Sequence, residues 1–263
     1  MAAIAEAAAA WAESGYAVVR QWIAAPAIDA LAREVEPVFA QWMAENHAAY
    51  ERERLVNMHS LTSTRYFSEG RARARLFDML ASDSVVALVD GMFGSGIYFH
   101  NTQLFFNPHE NRRLPYWHRD MQYSPIDDAD QAREQQHMLS LHVRIPLLKE
   151  QGVELIPGTH RRWDMPLESD VRWERNGHRN SEDLPGAVLL ALEPGDVLVF
   201  DAQMIHRGNY ALNRERKALD LCVGRPHPFT ARWLDPEVLP SDDELERVSN
   251  KAWYQRARQV AGA

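Results

Sequence analysis

Between residues 97 and 225 the chain breaks into six short segments rich in β-branched and aromatic residues. Each is bounded by Gly, Pro, Asn or Asp, and this punctuation constrains the fold more than any other feature. The segments span residues 97–106, 138–146, 153–156, 187–192, 196–200 and 218–225. Pro194-Gly195-Asp196 is a strong turn signal before the fifth of them. Short strands joined by tight turns predict a double-sheet β barrel or jelly roll, not a doubly wound α/β fold.

Helical patterns flank this block. Ile28, Leu31, Val35, Val38 and Trp42 recur at helical spacing, with Pro37 expected to kink or split the run. A second helix is predicted over residues 84–92, capped by Ser82 or Asp83 and ended by Gly91 and Gly94. The tail over 241–260 reads as helix, and Ser241 with Glu244 has capping-box spacing. The polar, acidic stretch 125–136 reads as a mobile loop. The 263 residues are expected to form a single domain, mainly β with flanking helices: a helical part up to about residue 95, the strands, and a C-terminal helix.

Composition excludes several classes. Hydrophobic residues at 46% and charged residues at 25% fit a globular chain with a real core. A net charge of -8 argues against nonspecific nucleic-acid binding, since no broad cationic surface is available. Cys222 is the only cysteine, so neither an intramolecular disulfide nor a thiolate zinc cluster can form, and a reducing, cytoplasmic setting is expected. The alanine-rich start is interrupted by Glu6 and does not read as a signal peptide, and no segment has the length of a membrane span. A homodimer is compatible with all of this.

The chemistry is carried by Tyr116-Trp117-His118-Arg119-Asp120-Met121-Gln122-Tyr123. Residues two apart on an extended strand point to the same side, so His118 and Asp120 can reach one metal. His206, after a distant strand, is the best third ligand. Two histidines and one carboxylate on one face of an octahedron leave three positions open, the arrangement of non-haem Fe(II) oxygenases. His-x-Asp alone is a short motif. His-Arg-Asp also opens the kinase catalytic loop, but that loop needs Asn five residues later, where this chain has Pro125, and no Gly-rich nucleotide loop is present. A chelating 2-oxoacid with a second carboxylate needs a cation deep in the barrel, and an arginine fork suits it. Arg216 shares a strand face with Ala218, Asp220, Cys222 and Gly224, which leaves room for a ligand. Lys217 shares its face with the packing residues Leu219, Leu221 and Val223.

With these residues in place, the chain resembles the phytanoyl-CoA dioxygenase family of Fe(II)/2-oxoglutarate-dependent oxygenases. Three blocks carry the resemblance: Trp117-His118-Arg119-Asp120; Gly152 to His160, ending Pro157-Gly158-Thr159-His160; and Leu192 to Phe200 followed by His206, Asn209 and Arg216. The resemblance implies a double-stranded β-helix (jelly roll, cupin-like) core, iron on His118, Asp120 and His206, and 2-oxoglutarate on Arg216. It also implies the reaction: O2 and 2-oxoglutarate are consumed, succinate and CO2 are released, and a substrate C–H bond is oxidised. The related halogenases have Gly or Ala where Asp120 stands, so hydroxylation is favoured over chlorination. Gly208 departs from the pattern, because family members often carry a hydroxyl residue there. Asn101 and Gln103, on one face of the preceding strand, are candidates to hydrogen-bond the cosubstrate.

The expected substrate is a small-molecule metabolite or natural product. Tyr123, Gln122 and Trp117 flank the metal motif and are candidates to approach it. His142 and Arg144 lie on one face of an apolar strand, where charged side chains need a partner: a polar or anionic substrate group, or a buried ion pair. Trp163 and Trp173 follow the Pro-Gly-Thr-His block, where a lid is plausible. Desaturation, cyclisation, epoxidation or epimerisation on the same iron are alternatives to hydroxylation. So is a cupin-like metal-binding protein without oxygenase activity, which would have no use for Arg216.

Overall fold

The computed structural model describes residues 1–262. In chain order the elements are α1 (Ala2–Ser14), β1 (Tyr16–Val19), α2 (Ala25–Glu53), β2 (Asn57–His59), α3 (Gly70–Leu80), α4 (Asp83–Phe93), β3 (Tyr98–Phe106), α5 (Asp128–Glu134), β4 (Ser140–Pro146), β5 (Glu150–Leu155), α6 (Pro166–Arg172), β6 (Val188–Leu192), β7 (Val197–Asp201), β8 (His206–Gly208), β9 (Lys217–Gly224), α7 (Pro228–Ala231), α8 (Asp242–Leu245) and α9 (Ala252–Ala261). Two antiparallel sheets face each other, one of six strands in the order β1-β7-β4-β9-β3-β2 and one of three in the order β6-β5-β8. This is the jelly roll.

All six expected strands are present, with ends shifted by up to three residues. Three short ones, β1, β2 and β8, were not anticipated, since three or four residues carry too little periodicity to stand out. Pro37 does not divide its helix: α2 runs on through it to Glu53. Gly91 lies inside α4, where the side chain of Ile4 leaves no room for a Cβ, and Gly94 ends that helix. The tail forms two helices, not one, and the Ser241/Glu244 capping box starts the first. The stretch expected to be a mobile loop contains α5, packed through the buried Gln131, whose amide donates to the carbonyls of Met121 and Ile126.

Strand alternation sorts the large sheet into two faces. Leu141, Val143 and Ile145 of β4, Val197 and Val199 of β7, and Leu219, Leu221 and Val223 of β9 join the core beneath α1–α4 and α9. The opposite face carries His142, Arg144, Phe200 and Asp220 and looks into the space between the sheets. A smaller apolar cluster, with Val153 and Leu155 of β5, Leu198 of β7 and Met204, joins residues of both sheets. Burying such side chains stabilises by ~25 cal/mol per Å² of apolar surface, so the helical layer holds the sheet rigid behind the polar face. Among the described residues no helix is long and apolar enough to cross a membrane.

Candidate active site

His118 and His206 lie side by side because their backbones exchange two hydrogen bonds, His118 N to His206 O and His206 N to His118 O, each 3.0 Å. Asp120 is fixed similarly, its N–H donating to Ala202 O at 3.1 Å. The two imidazoles are tethered alike: Nδ1 of His118 donates to Tyr116 O at 3.1 Å, and Nδ1 of His206 to Met204 O at 3.0 Å. A ring whose Nδ1 carries the proton presents Nε2 as a bare lone pair, the form a metal requires. Those Nε2 atoms lie 3.7 Å (His118) and 3.3 Å (His206) from Asp120 Oδ1. The donor atoms of all three residues fall within 4.8 Å of one another. Burial, reinforced by the neighbouring His206, depresses His118 to about 3, which keeps it neutral. Burial alone would raise Asp120, but His142 beside it, with help from His206, holds the carboxyl well below the usual range.

The three residues line a cavity of about 490 Å³ between the sheets. Arg216 lies on its wall, 2% exposed, with Nε donating to Glu150 Oε2 at 2.7 Å. Its Nη1 is buried without a hydrogen-bond partner. A buried guanidinium edge left unpaired is costly, and a carboxylate entering the cavity would satisfy it. The donor set fits a borderline divalent metal, and the unpaired arginine edge fits a dicarboxylate cosubstrate. Gly208 stands next to this edge. A Cβ there would lie 3.0 Å from the Tyr210 ring and 3.3 Å from Arg216 Nη1, so Tyr210 takes up the space a hydroxyl residue would use.

The remaining sequence candidates divide. Gln103 lines the cavity, its Oε1 accepting from Asn57 Nδ2 at 3.0 Å, whereas Asn101 turns to Ser60 Oγ at 3.2 Å and is not part of the wall. Tyr123 is 64% exposed and sits at the mouth, its ring centroid 5.6 Å from that of His118. Trp117 is a correction. It is fully buried away from the cavity, donates Nε1 to Glu182 O at 2.7 Å and stacks under Arg207. Gln122 is another, because its Oε1 accepts from Arg172 Nε at 3.0 Å, on the side of α6. Trp163 and Trp173 pack beside Arg119, Arg172 and Asp128 and do not line the cavity. His142 and Arg144 do line it, but both are engaged: Arg144 donates to Asp220 through Nε (2.6 Å) and Nη2 (2.9 Å), and both ring nitrogens of His142 meet carboxylates. Phe105, on the strand expected to line the cavity, does face it, as do Tyr116, Asn57, His59 and Tyr210, which were missed. Parity with His118 would have found Tyr116. Asn57 and His59 needed the short strand β2.

The family model described as Phytanoyl-CoA dioxygenase (PhyH) matches residues 11–217. The chain belongs to this family. Its members are Fe(II)/2-oxoglutarate-dependent oxygenases, so a cupin-like binding protein without oxygenase chemistry is set aside. The ectoine dioxygenase of Sphingopyxis alaskensis is 25% identical over 222 residues, covering 77% of this chain and 69% of that one. The solved structure of EctD from S. alaskensis with 2-oxoglutarate and 5-hydroxyectoine is similar with a TM-score of 0.58 at 19% identity, covering 88% of this chain and 81% of that one. The carbocyclase SnoK of nogalamycin biosynthesis gives a TM-score of 0.58 at 15% identity, over 84% and 83% of the two chains. The epimerase SnoN of the same pathway gives 0.53 at 17%, over 85% and 84%. At these identities the structural likeness concerns the fold.

Proposed function

We propose that the chain acts as one oxygenase domain in which His118, Asp120 and His206 hold Fe(II) and Arg216 binds the distal carboxylate of 2-oxoglutarate. The observation that carries this reading is the convergence of the three donor side chains in a cavity that is also lined by a buried arginine with an unpaired Nη1. When bound, the iron supplies O2 activation coupled to decarboxylation of the cosubstrate. The protein's own part is to keep two Nε2 lone pairs and one carboxylate oxygen aimed at a single point, to hold the cosubstrate through Arg216, and to admit substrate past Tyr123. Gln103, Asn57 and His59 offer a polar wall for that substrate.

A small metabolite or natural product is the proposed substrate class, and hydroxylation the proposed outcome. The cavity volume suits such a molecule, and a similar protein is an ectoine dioxygenase. Carbocyclisation and epimerisation occur in proteins of this fold, so product analysis decides between outcomes. A cytoplasmic setting is proposed from the single free cysteine.

The test is anaerobic addition of Fe(II) and 2-oxoglutarate, which is expected to give a weak visible charge-transfer band, and succinate release once O2 is admitted. Asp120→Ala and His206→Ala should abolish both. An iron-loaded, folded protein with neither band nor succinate would overturn the reading.

A further inference from the structure

We infer that His142 is a positioning residue for Asp120, holding one carboxylate oxygen so that the other alone is presented to the metal. The inference rests on the metal site proposed above and concerns a residue outside the ligand set. Asp120 has two oxygens with different surroundings. Oδ1 faces the Nε2 atoms of His206 and His118, at 3.3 and 3.7 Å. Oδ2 accepts from His142 Nε2 at 2.6 Å. A carboxylate can give a metal one oxygen or two, and the choice changes how many positions are left for other ligands. With Oδ2 engaged by His142, the triad contributes three donor atoms and leaves three positions, the number a bidentate cosubstrate and O2 require together.

The ring is well fixed for this task. His142 Nδ1 donates to Asp220 Oδ2 at 2.9 Å, and Asp220 is fully buried under the fork of Arg144. One face of the imidazole stacks on Phe200, with centroids 4.9 Å apart and planes inclined by 11°. Strand register contributes as well: Arg144 and Asp220 are directly paired across β4 and β9, as are His142 and Cys222. His142 is 4% exposed. It cannot swing away without stripping Asp120 Oδ2 of its donor and Asp220 of one of its three, a cost above that of an ordinary rotamer change. Because both nitrogens are committed, the ring has none left for a substrate. Partners of this kind typically change metal affinity by ~10–100-fold when removed.

The experiment measures anaerobic Fe(II) affinity, and the visible spectrum of the Co(II)-substituted protein, for wild type and three variants. Glutamine places an amide nitrogen near the position of Nε2 and reaches Asp120. Asparagine places one near Nδ1 and keeps only Asp220. Phenylalanine retains the stacking but offers no hydrogen bond. His142→Gln should bind Fe(II) within about threefold of wild type and keep its Co(II) spectrum, while His142→Asn and His142→Phe should bind ~10–100-fold more weakly with an altered spectrum. If His142→Phe does not fold, the Gln–Asn pair carries the comparison. Equal affinity and spectra in all variants, or equal loss in Gln and Asn, would overturn the inference while leaving the metal site standing. A wild-type protein that binds no Fe(II) would sink both.

Discussion

Arg216 and Glu150 form a fully buried ion pair that uses only one edge of the guanidinium: Nε meets Glu150 Oε2 at 2.7 Å, while Nη1 has no partner. The pair settles the orientation of the arginine and leaves Nη1 without a partner beside the cavity that Arg216 lines. If that nitrogen holds the cosubstrate, Arg216→Gln should weaken 2-oxoglutarate binding by ~100-fold, about 3 kcal/mol, with Fe(II) binding nearly unchanged. Arg216→Lys should recover only part of the loss, because an ammonium lacks the planar fork. Titration of the charge-transfer band with 2-oxoglutarate measures both. An unaltered midpoint in Arg216→Gln would show that the cosubstrate is held elsewhere.

Gly152 sits at φ +113° in the bulge that shifts the β5–β6 register between Gln151 and Val153, and a Cβ there would collide with Asn209 O. The Asn209 N–H donates to Gly152 O, so the bulge is tied to the segment following β8, which begins with His206. Gly152→Ala should cost more than about 2 kcal/mol, from backbone strain and from moving that segment. It should also weaken Fe(II) binding although Gly152 touches no ligand. Urea unfolding and a metal titration check the two effects, and a stable variant with normal iron affinity would contradict the argument.

The parts of the site that follow from local parity were legible in the sequence. The spacing of His118 and Asp120, and the small-residue face that singles out Arg216 over Lys217, are one-strand arguments that need no knowledge of neighbours. What failed depended on which sheet covers which face. Trp117 adjoins His118, yet alternation sends it into the packing on the other side, with Nε1 satisfied by Glu182. His142 and Arg144 were correctly recognised as needing partners. The partners, Asp220 and Asp120, are set by β4–β9 pairing and by a loop entry that no single segment encodes. The polar wall of Asn57 and His59 was invisible because three residues of strand leave no periodic trace.

Asp220 joins Arg144 to His142 and has no exposure to water. Burial would raise its pKa, but Arg144, assisted by His142, holds it at about 2. Asp220→Ala would leave the buried Arg144 only its longer contact with Glu150, at 3.7 Å, and the buried His142 only Asp120 of its two carboxylates. It should destabilise the metal-free protein by ~3–5 kcal/mol, as removal of one member of a buried ion pair does. Asp220→Asn, which keeps the shape and an acceptor, should cost less. Urea unfolding at neutral pH gives the comparison, and a loss below about 1 kcal/mol for the alanine variant would mean that the network adds little to stability.

Asp201, at the end of β7, is 4% exposed and accepts the Gln203 N–H at 2.7 Å. Burial pushes its carboxyl up to about 7, against the partial opposition of the Gln203 amide and Arg119. An unfolded aspartate ionises near ~4. Between these values the folded chain binds more protons than the unfolded one, so this residue's contribution makes stability fall as pH rises from about 4 to about 7, and level off above. Asp201→Asn keeps the acceptor for Gln203 and removes the titration. Its advantage over wild type should therefore be near zero at pH 4, grow through pH 7 and reach at most about 4 kcal/mol. Urea midpoints of the metal-free proteins at pH 4.5 and pH 8 suffice for the check. A difference independent of pH would mean that Asp201 does not change its ionisation on folding, and that burial costs it less than its surroundings imply.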